Sequence, residues 1–108
     1  ATFSGRGVNV KSGLLLYAKP DITAPGVNIR IPGNKEKTVT GTSFATPMVT
    51  GAAAMLMEWG IVKGNDQYMY GEKLKAYLIT GATPVGNVWP DSARGWGELC
   101  VAASIPVK

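Results

Sequence analysis

The spacing of apolar and polar residues predicts short strands in the first part of the chain. Residues 14–17 form an apolar run that stops before Pro20, as expected of a short buried strand. Residues 27–31 alternate apolar and polar side chains, which is the period of a half-buried strand. Residues 37–40 predict one more short strand, and turns rich in glycine and proline separate these pieces.

The second part of the chain has the pattern of two helices. Residues 43–59 are dense in Ala, Met, Val and Leu and carry a single charge, so we expect a helix that is apolar on every side and therefore buried. Gly60 is expected to end this helix. Residues 61–71 predict a surface loop, and residues 72–80 predict an amphipathic helix with its lysines facing outward. Residues 99–103 predict a short strand or a helical turn.

Composition excludes several kinds of chemistry. The chain has 108 residues, of which 45% are hydrophobic and 17% charged, which fits a folded chain of domain size rather than a disordered one. Histidine is absent, so no Ser-His-Asp triad can form within this chain. The lone Cys100 excludes an internal disulfide and a cysteine zinc cluster, and we expect it to be a buried structural thiol.

The charge pattern favours neither nucleic acid nor a membrane. The formal net charge is +4, but the basic residues are scattered and form no basic arm or aromatic-basic stripe. No apolar stretch approaches the roughly 20 residues that a membrane-spanning helix needs. We therefore expect no nucleic-acid partner and no membrane partner.

The segment just ahead of the long helix carries the candidate chemistry. Ser43 follows Gly41 and Thr42 at the predicted helix start, where free N–H groups and the positive end of the helix dipole could support a developing oxyanion. A simpler interpretation of the same pattern is that Ser43 or Thr46 caps the helix, with Pro47 in its first turn. The local pattern alone favours the cap.

A longer match changes this balance. Residues 41–54, GTSFATPMVTGAAA, closely resemble the segment of subtilisin-like serine proteases, the subtilases, that carries the nucleophilic serine. Weaker resemblances to the same family follow the family's order along the chain: ATFSGRG at residues 1–7, PDITAPGV at 20–27, PGNK at 32–35 and GWG at 95–97. The resemblance therefore spans most of the chain.

The resemblance implies a role for each residue that matches. Ser43 corresponds to the nucleophile, and its backbone N–H helps to bind the oxyanion. Thr42 borders the oxyanion site, whereas Thr40 and Gly41 lie near the leaving-group side of the cleft. Phe44 packs beside the nucleophile.

The same resemblance implies an α/β fold of which the chain is only a part. In the subtilases the catalytic residues follow in the order Asp, His, Ser, and this chain matches the serine alone. Residues 1–108 are therefore expected to be the C-terminal segment of a catalytic domain, an incomplete domain with a parallel sheet, helices on both faces and a buried central helix. The oxyanion asparagine belongs to a segment upstream, so Asn28 and Asn34 receive no such role.

Function follows from these assignments, with alternatives kept open. The expected reaction is hydrolysis of a peptide bond through an acyl-enzyme on Ser43, and the isolated chain is expected to be inactive because the Asp and His are absent. One alternative is a segment of a subtilase that has lost its catalytic base and serves as a binding or regulatory protein. Another is a small basic binding module unrelated to proteolysis.

Cofactors, partners and location are constrained less tightly. We expect no cofactor or metal in this chain, since Asp66 and Asp91 lie in separate loops, although calcium elsewhere in the parent protein fits the family. The expected partners are a protein or peptide substrate and the remainder of the catalytic domain, with homo-oligomers or segment exchange for the isolated chain. Location stays unknown, with a secreted, cell-envelope or spore-associated bacterial parent as the expectation.

Overall fold

The computed structural model describes residues 3–7, 9–12, 15–33, 37–85 and 92–106. Two antiparallel hairpins precede the long helix. Strand β1, Asn9–Ser12, pairs with β2, Leu15–Ala18, so that Asn9 lies opposite Ala18. Strand β3, Ile29–Ile31, pairs with β4, Lys37–Val39, with Ile29 opposite Val39. The three predicted strand regions are confirmed, and β1 lies in residues 1–13, which were expected to form loops and the start of a strand.

The helices occupy the predicted regions, with one change at a boundary. Helix α1, Thr42–Met57, continues into a π-helical turn, Glu58–Val62, and is followed by α2, Gly71–Gly81, and the short α3, Val101–Ser104. The prediction that Gly60 ends the first helix is wrong. Gly60 is buried inside the π turn, where an added Cβ would lie 2.7 Å from Met69 Cβ. The absence of a side chain at Gly60 allows Met69 to pack against the helix, and it does not end the helix.

The core of the described residues joins the helices. Its buried members come from α1, from the segment after the π turn and from α2: Ala52, Leu56, Met69 and Leu78. Leu56 and Met69 are fully buried, at 0% exposure. Met69 was expected in a surface loop, but it folds back beneath the C-terminal end of α1. Half-buried side chains of Trp59 and Tyr77 pack around this core, with ring centroids 6.1 Å apart.

Helix α1 is buried along one side only. Ala52 and Leu56 are buried, whereas Met48 and Met55 are 41% and 53% exposed. The expectation of burial on every side is therefore corrected for the chain as it stands, because no described element covers the opposite side. The Cα radius of gyration is 15.3 Å, larger than the roughly 13 Å of a compact domain of this length.

Most strand pairing in the described part is antiparallel, so the expected parallel sheet is represented there only by a bridge. Thr23 pairs with Glu98 in parallel: Thr23 donates its N–H to Gly97 O at 2.9 Å, and Leu99 donates to Thr23 O at 2.7 Å. Glu98 also pairs with Thr83 in antiparallel orientation. This bridge links the segment before β3 to the segment before α3. Mixed strands and helices place the chain in the α/β class.

Candidate functional site

Helix α1 starts just after Gly41, which is held by a hydrogen bond to Gly26. Gly41 is the cap residue and has φ 154°, a conformation that favours glycine. Its N–H donates to Gly26 O at 2.8 Å, and its own carbonyl accepts from Phe44 N at 3.1 Å and Ala45 N at 3.3 Å. Because Gly41 caps the helix without any side-chain bond, the interpretation of Ser43 or Thr46 as the cap is wrong.

Ser43 lies exposed in the first turn of α1. As the second helical residue, it has a backbone N–H without an acceptor within the helix. Within the described ranges, no side chain or backbone group hydrogen-bonds to its hydroxyl. Pro47 has no N–H, so the Ser43 carbonyl also lacks its usual partner one turn later. The serine thus presents a free hydroxyl and a free N–H on the same turn.

The neighbouring site residues have structural contacts of their own. Thr46 donates its hydroxyl to Thr42 O at 2.8 Å, one turn back along the helix. Thr40 Oγ1 accepts the N–H of Asn28 at 3.0 Å, which joins the residue before Gly41 to the start of β3. The ring of half-buried Phe44 lies against Gly41, since a Cβ there would be 3.7 Å from Phe44 Cδ2.

Asn28 and Asn34 were given no role in oxyanion binding. Asn28 is exposed, and its backbone is left-handed with φ 52°, a conformation that asparagine tolerates better than most residues. Its structural contribution is therefore to the turn before β3. Asn34 lies outside the described residues.

An open groove of about 1040 Å³ runs along the helix beside Ser43. Thr40, Gly41 and Thr42 form one part of its wall, and Ala45 and Val49 continue it along one face of α1. The rest of the lining comes from residues 3–6 and 22–27 and from Arg94, Glu98 and Leu99. The structure therefore brings the predicted site residues 40–42 to one groove, with Ser43 on the adjoining face of the helix.

Two ion-pair clusters were missed at the sequence level. In the first, Asp21 accepts one hydrogen bond from Lys19 at 2.8 Å and pairs with Lys75 at 3.0 Å. Partial burial raises the pKa of Asp21, but the bonds from Lys19 and Lys75 outweigh it and leave the pKa below its ordinary 3.8. Lys75 was expected to face outward. No local signal joins it to Asp21, because the two residues are distant in sequence.

The second cluster surrounds Asp66. Lys73 donates to this carboxylate at 2.7 Å, Tyr77 OH at 3.0 Å and Tyr68 N–H at 3.2 Å. The Lys73 bond is the main reason that the pKa of Asp66 lies below 3.8, and the same bond raises the pKa of Lys73 above 10.5. The bond to Asp66 also raises the pKa of Tyr77. Asp66 is thus committed to fixing the segment before α2.

Three further sequence expectations concern groups away from the serine. Cys100 is half-buried rather than fully buried, and its thiol is free. Asp91 lies outside the described residues, and the described part contains no group of three side chains suited to a metal ion. No helix in the described residues is long and apolar enough to cross a bilayer.

The described geometry is an exposed serine in the first turn of a glycine-capped helix, next to residues that line an open groove. Comparison with known proteins identifies the family. The profile of the subtilase family matches residues 1–97. The chain therefore belongs to the subtilase family, the subtilisin-like serine proteases of peptidase family S8.

Individual relatives agree with this membership. The structure of the CspB protease of Clostridium perfringens is similar, with 42% identity and a TM-score of 0.83 over 96% of this chain. The minor extracellular protease Vpr of Bacillus subtilis is 31% identical over 97% of the chain. The Neisserial autotransporter lipoprotein NalP of Neisseria meningitidis is 39% identical over 56% of the chain.

The chain spans only a small part of these relatives. It covers 22% of the CspB chain, 13% of Vpr and 5% of NalP. The chain shares its fold with part of CspB, a subtilisin-like protease, and corresponds to only 22% of the CspB chain.

Proposed function

We propose that this chain supplies the nucleophile Ser43 of a subtilisin-like serine endopeptidase. The observation that carries the proposal is the position of Ser43, exposed in the first turn of α1 with its hydroxyl and N–H unengaged by described residues. Membership of the subtilase family supports the same chemistry. The expected substrate is a protein or peptide.

The proposed reaction is acyl transfer. Ser43 Oγ attacks the scissile carbonyl carbon while its proton passes to a base, and the Ser43 N–H binds the oxyanion that forms. The intermediate collapses, the amine leaves with a proton, and water then releases the acyl group from Ser43. Thr42 borders the oxyanion, Thr40 and Gly41 border the leaving-group side, and Phe44 packs beside them.

The base and its orienting acid must come from another part of the parent protein, because this chain has no histidine. We therefore propose that residues 1–108 are the C-terminal segment of the catalytic domain and are inactive alone. A serine hydroxyl without a base is a weak nucleophile near neutral pH. No cofactor is proposed for this chain, and calcium is left to other segments of the parent.

Location is proposed from relatives alone. One relative is named as extracellular and another as an autotransporter lipoprotein. We propose by analogy a secreted or cell-envelope parent.

The test is labelling of the full-length protein by a fluorophosphonate probe, followed by peptide mapping. We expect the label on Ser43 and its loss in Ser43→Ala, while Ser4→Ala, another exposed serine on the groove side, keeps it. The isolated chain is expected to stay unlabelled. Failure of the folded full-length protein to label would contradict the proposal and favour a subtilase that binds without catalysis.

A further inference from the structure

Arg6 is a charged residue on the wall of the groove that also reaches Thr40, Gly41 and Thr42. Its side chain is exposed, and within the described part of the chain its guanidinium makes no hydrogen bond or ion pair. Glu98 lines the same groove but lies beyond ion-pair distance of Arg6. Among the residues that the structure describes, the positive charge of Arg6 therefore lines the groove with no acid within ion-pair distance.

The backbone beside Arg6 is held in place. Gly7 N–H donates to Ser92 O at 2.7 Å, and the Gly7 Cα lies so close to the carbonyl of Lys19 that a side chain would collide with it. Lys19 is in turn paired with Asp21. These contacts fix the residue after Arg6, so the guanidinium is presented from a defined point on the wall.

The chemistry of the guanidinium determines which group would occupy this position. Arginine stays charged at all physiological pH values, and its planar fork of donors matches the two oxygens of a carboxylate. Covering such a charge with apolar surface is unfavourable unless an acid pairs with it. The wall at Arg6 is therefore suited to an acidic group and unsuited to an apolar one.

We propose that Arg6 is a specificity-determining residue that binds an acidic side chain of the peptide substrate. The carboxylate would lie on the side of the scissile bond that Thr40 and Gly41 border. This inference rests on the proposed protease function, because it needs a peptide to lie along the groove from Thr42 toward Arg6.

The experiment uses the full-length protease and matched peptides that carry Glu, Gln or Lys at each position near the cleaved bond. At one position the wild type should cleave the Glu peptide about tenfold faster in kcat/KM than the Lys peptide, the scale of one partly exposed charge-assisted contact. Arg6→Glu should reverse that preference, and Arg6→Gln should abolish it. Lys63→Glu makes the same change in charge at an exposed residue outside the groove and should leave the preference intact.

Two results would overturn the inference. One is a wild type without acidic preference; the other is a preference that survives both Arg6→Glu and Arg6→Gln. A fall in Tm with unchanged preference would mean that Arg6 pairs with an acid of the protease itself, which also overturns it. Fluorophosphonate labelling separates this failure from that of the parent proposal, because labelled Ser43 without an Arg6 effect leaves the protease function standing.

Discussion

At the scale of single residues, the position of Ser43 depends on a close contact between two glycines. Gly26 O accepts the N–H of Gly41, and a Cβ on Gly26 would lie 2.9 Å from Gly41 O and 3.0 Å from Ala45 Cβ. Both of these distances would be shorter than ordinary packing allows, and neither involves the end of a flexible side chain that could move away. A side chain at Gly26 would therefore displace the first turn of α1, and Ser43 would move with it.

Substitution of Gly26 by Ala tests this dependence. We expect the helix start to shift, with a loss of stability of about 1–3 kcal/mol, typical of overpacking, and a larger fractional loss in kcat/KM than in folded protein. Gly33→Ala is the matched control, since an added Cβ at Gly33 meets nothing within 4 Å. Peptide hydrolysis and thermal unfolding of both full-length variants provide the measurement. Equal activity of the two would refute the proposed dependence.

Asp66 gives a second prediction at this scale, concerning pH. Its pKa lies below 3.8 in the folded chain, so its contribution to stability is present above about pH 4 and is lost as pH falls through the lowered value. The pKa of Lys73 is raised, so its contribution is present below pH 10.5 and is lost as pH rises through the higher value.

Asp66→Asn in the full-length protein removes the charge that both contributions need. We expect a Tm lower by a few degrees at neutral pH and a difference from wild type that shrinks below about pH 4, where the carboxylate protonates. Glu58→Gln, at an exposed acid with no side-chain partner in the described residues, is the control. A constant difference between Asp66→Asn and wild type from pH 7 to pH 2 would contradict the assignment.

At the scale of elements, the sequence predicted where helices and strands lie better than where they end. The composition of residues 43–59 was sufficient to locate α1, because the segment is rich in Ala, Met and Leu, which favour helices, and carries a single charge. Its end was missed because Gly60 serves a tertiary contact with Met69 rather than a helix stop. The pairing of Lys75 with Asp21 and of Lys73 with Asp66 depends on how α2 packs, and no local sequence pattern predicts that packing.

The candidate site could be proposed from the sequence for a different reason. Ser43 and its neighbours form one contiguous segment, so a local resemblance could assign all of them together. The groove beside them could not be predicted, because Arg6 and Glu98 reach it from opposite ends of the chain. Likewise, the cap assigned to Ser43 or Thr46 failed because a φ of 154° at Gly41 depends on its bond to Gly26.

The segment between α1 and α2 holds these two helices together. Asn65 donates its side-chain amide to Trp59 O at 2.9 Å, and Asp66 N–H donates to Gly60 O at 3.0 Å. These bonds satisfy carbonyls at the helix end that would otherwise lack partners. Met69 then enters the core beside Leu56.

Met69→Ala should therefore separate α1 from α2. Because Met69 is fully buried, we expect a loss of about 2–5 kcal/mol in the free energy of unfolding, as for other large-to-small core changes. Tyr68→Ala, at a side chain 68% exposed in the same segment, should cost much less. Denaturant unfolding of the full-length variants measures both. Similar losses for the two would mean that Met69 does not carry the packing.

At the scale of the whole molecule, several large apolar side chains of the chain remain exposed outside its core. Met48, Met55 and Val62, all outside the groove, are 41%, 53% and 78% exposed. The radius of gyration of 15.3 Å agrees with this loose shape. Exposed apolar patches of this kind mark interfaces. The relatives extend far beyond the matched region. This agrees with the proposal that the remainder of a catalytic domain packs against these exposed side chains.

The isolated chain should therefore self-associate unless that cover is supplied. We expect light scattering to report oligomers whose mass grows with concentration, because burying exposed methionines and valines lowers the free energy of the assembled state. Replacing Met48 and Met55 by Gln should shift the distribution toward monomer, whereas replacing the exposed Lys63 by Gln should not.

Addition of the separately produced remainder of the parent domain provides the decisive comparison. If the exposed face of α1 is the surface that the remainder covers, mixing should convert the oligomers into a one-to-one complex and make Ser43 reactive toward a fluorophosphonate. A compact monomer at high concentration, which then gained no reactivity on mixing, would contradict both the oligomer prediction and the interpretation of the exposed helix face. Reactivity without loss of oligomers would instead place the remainder on a different surface.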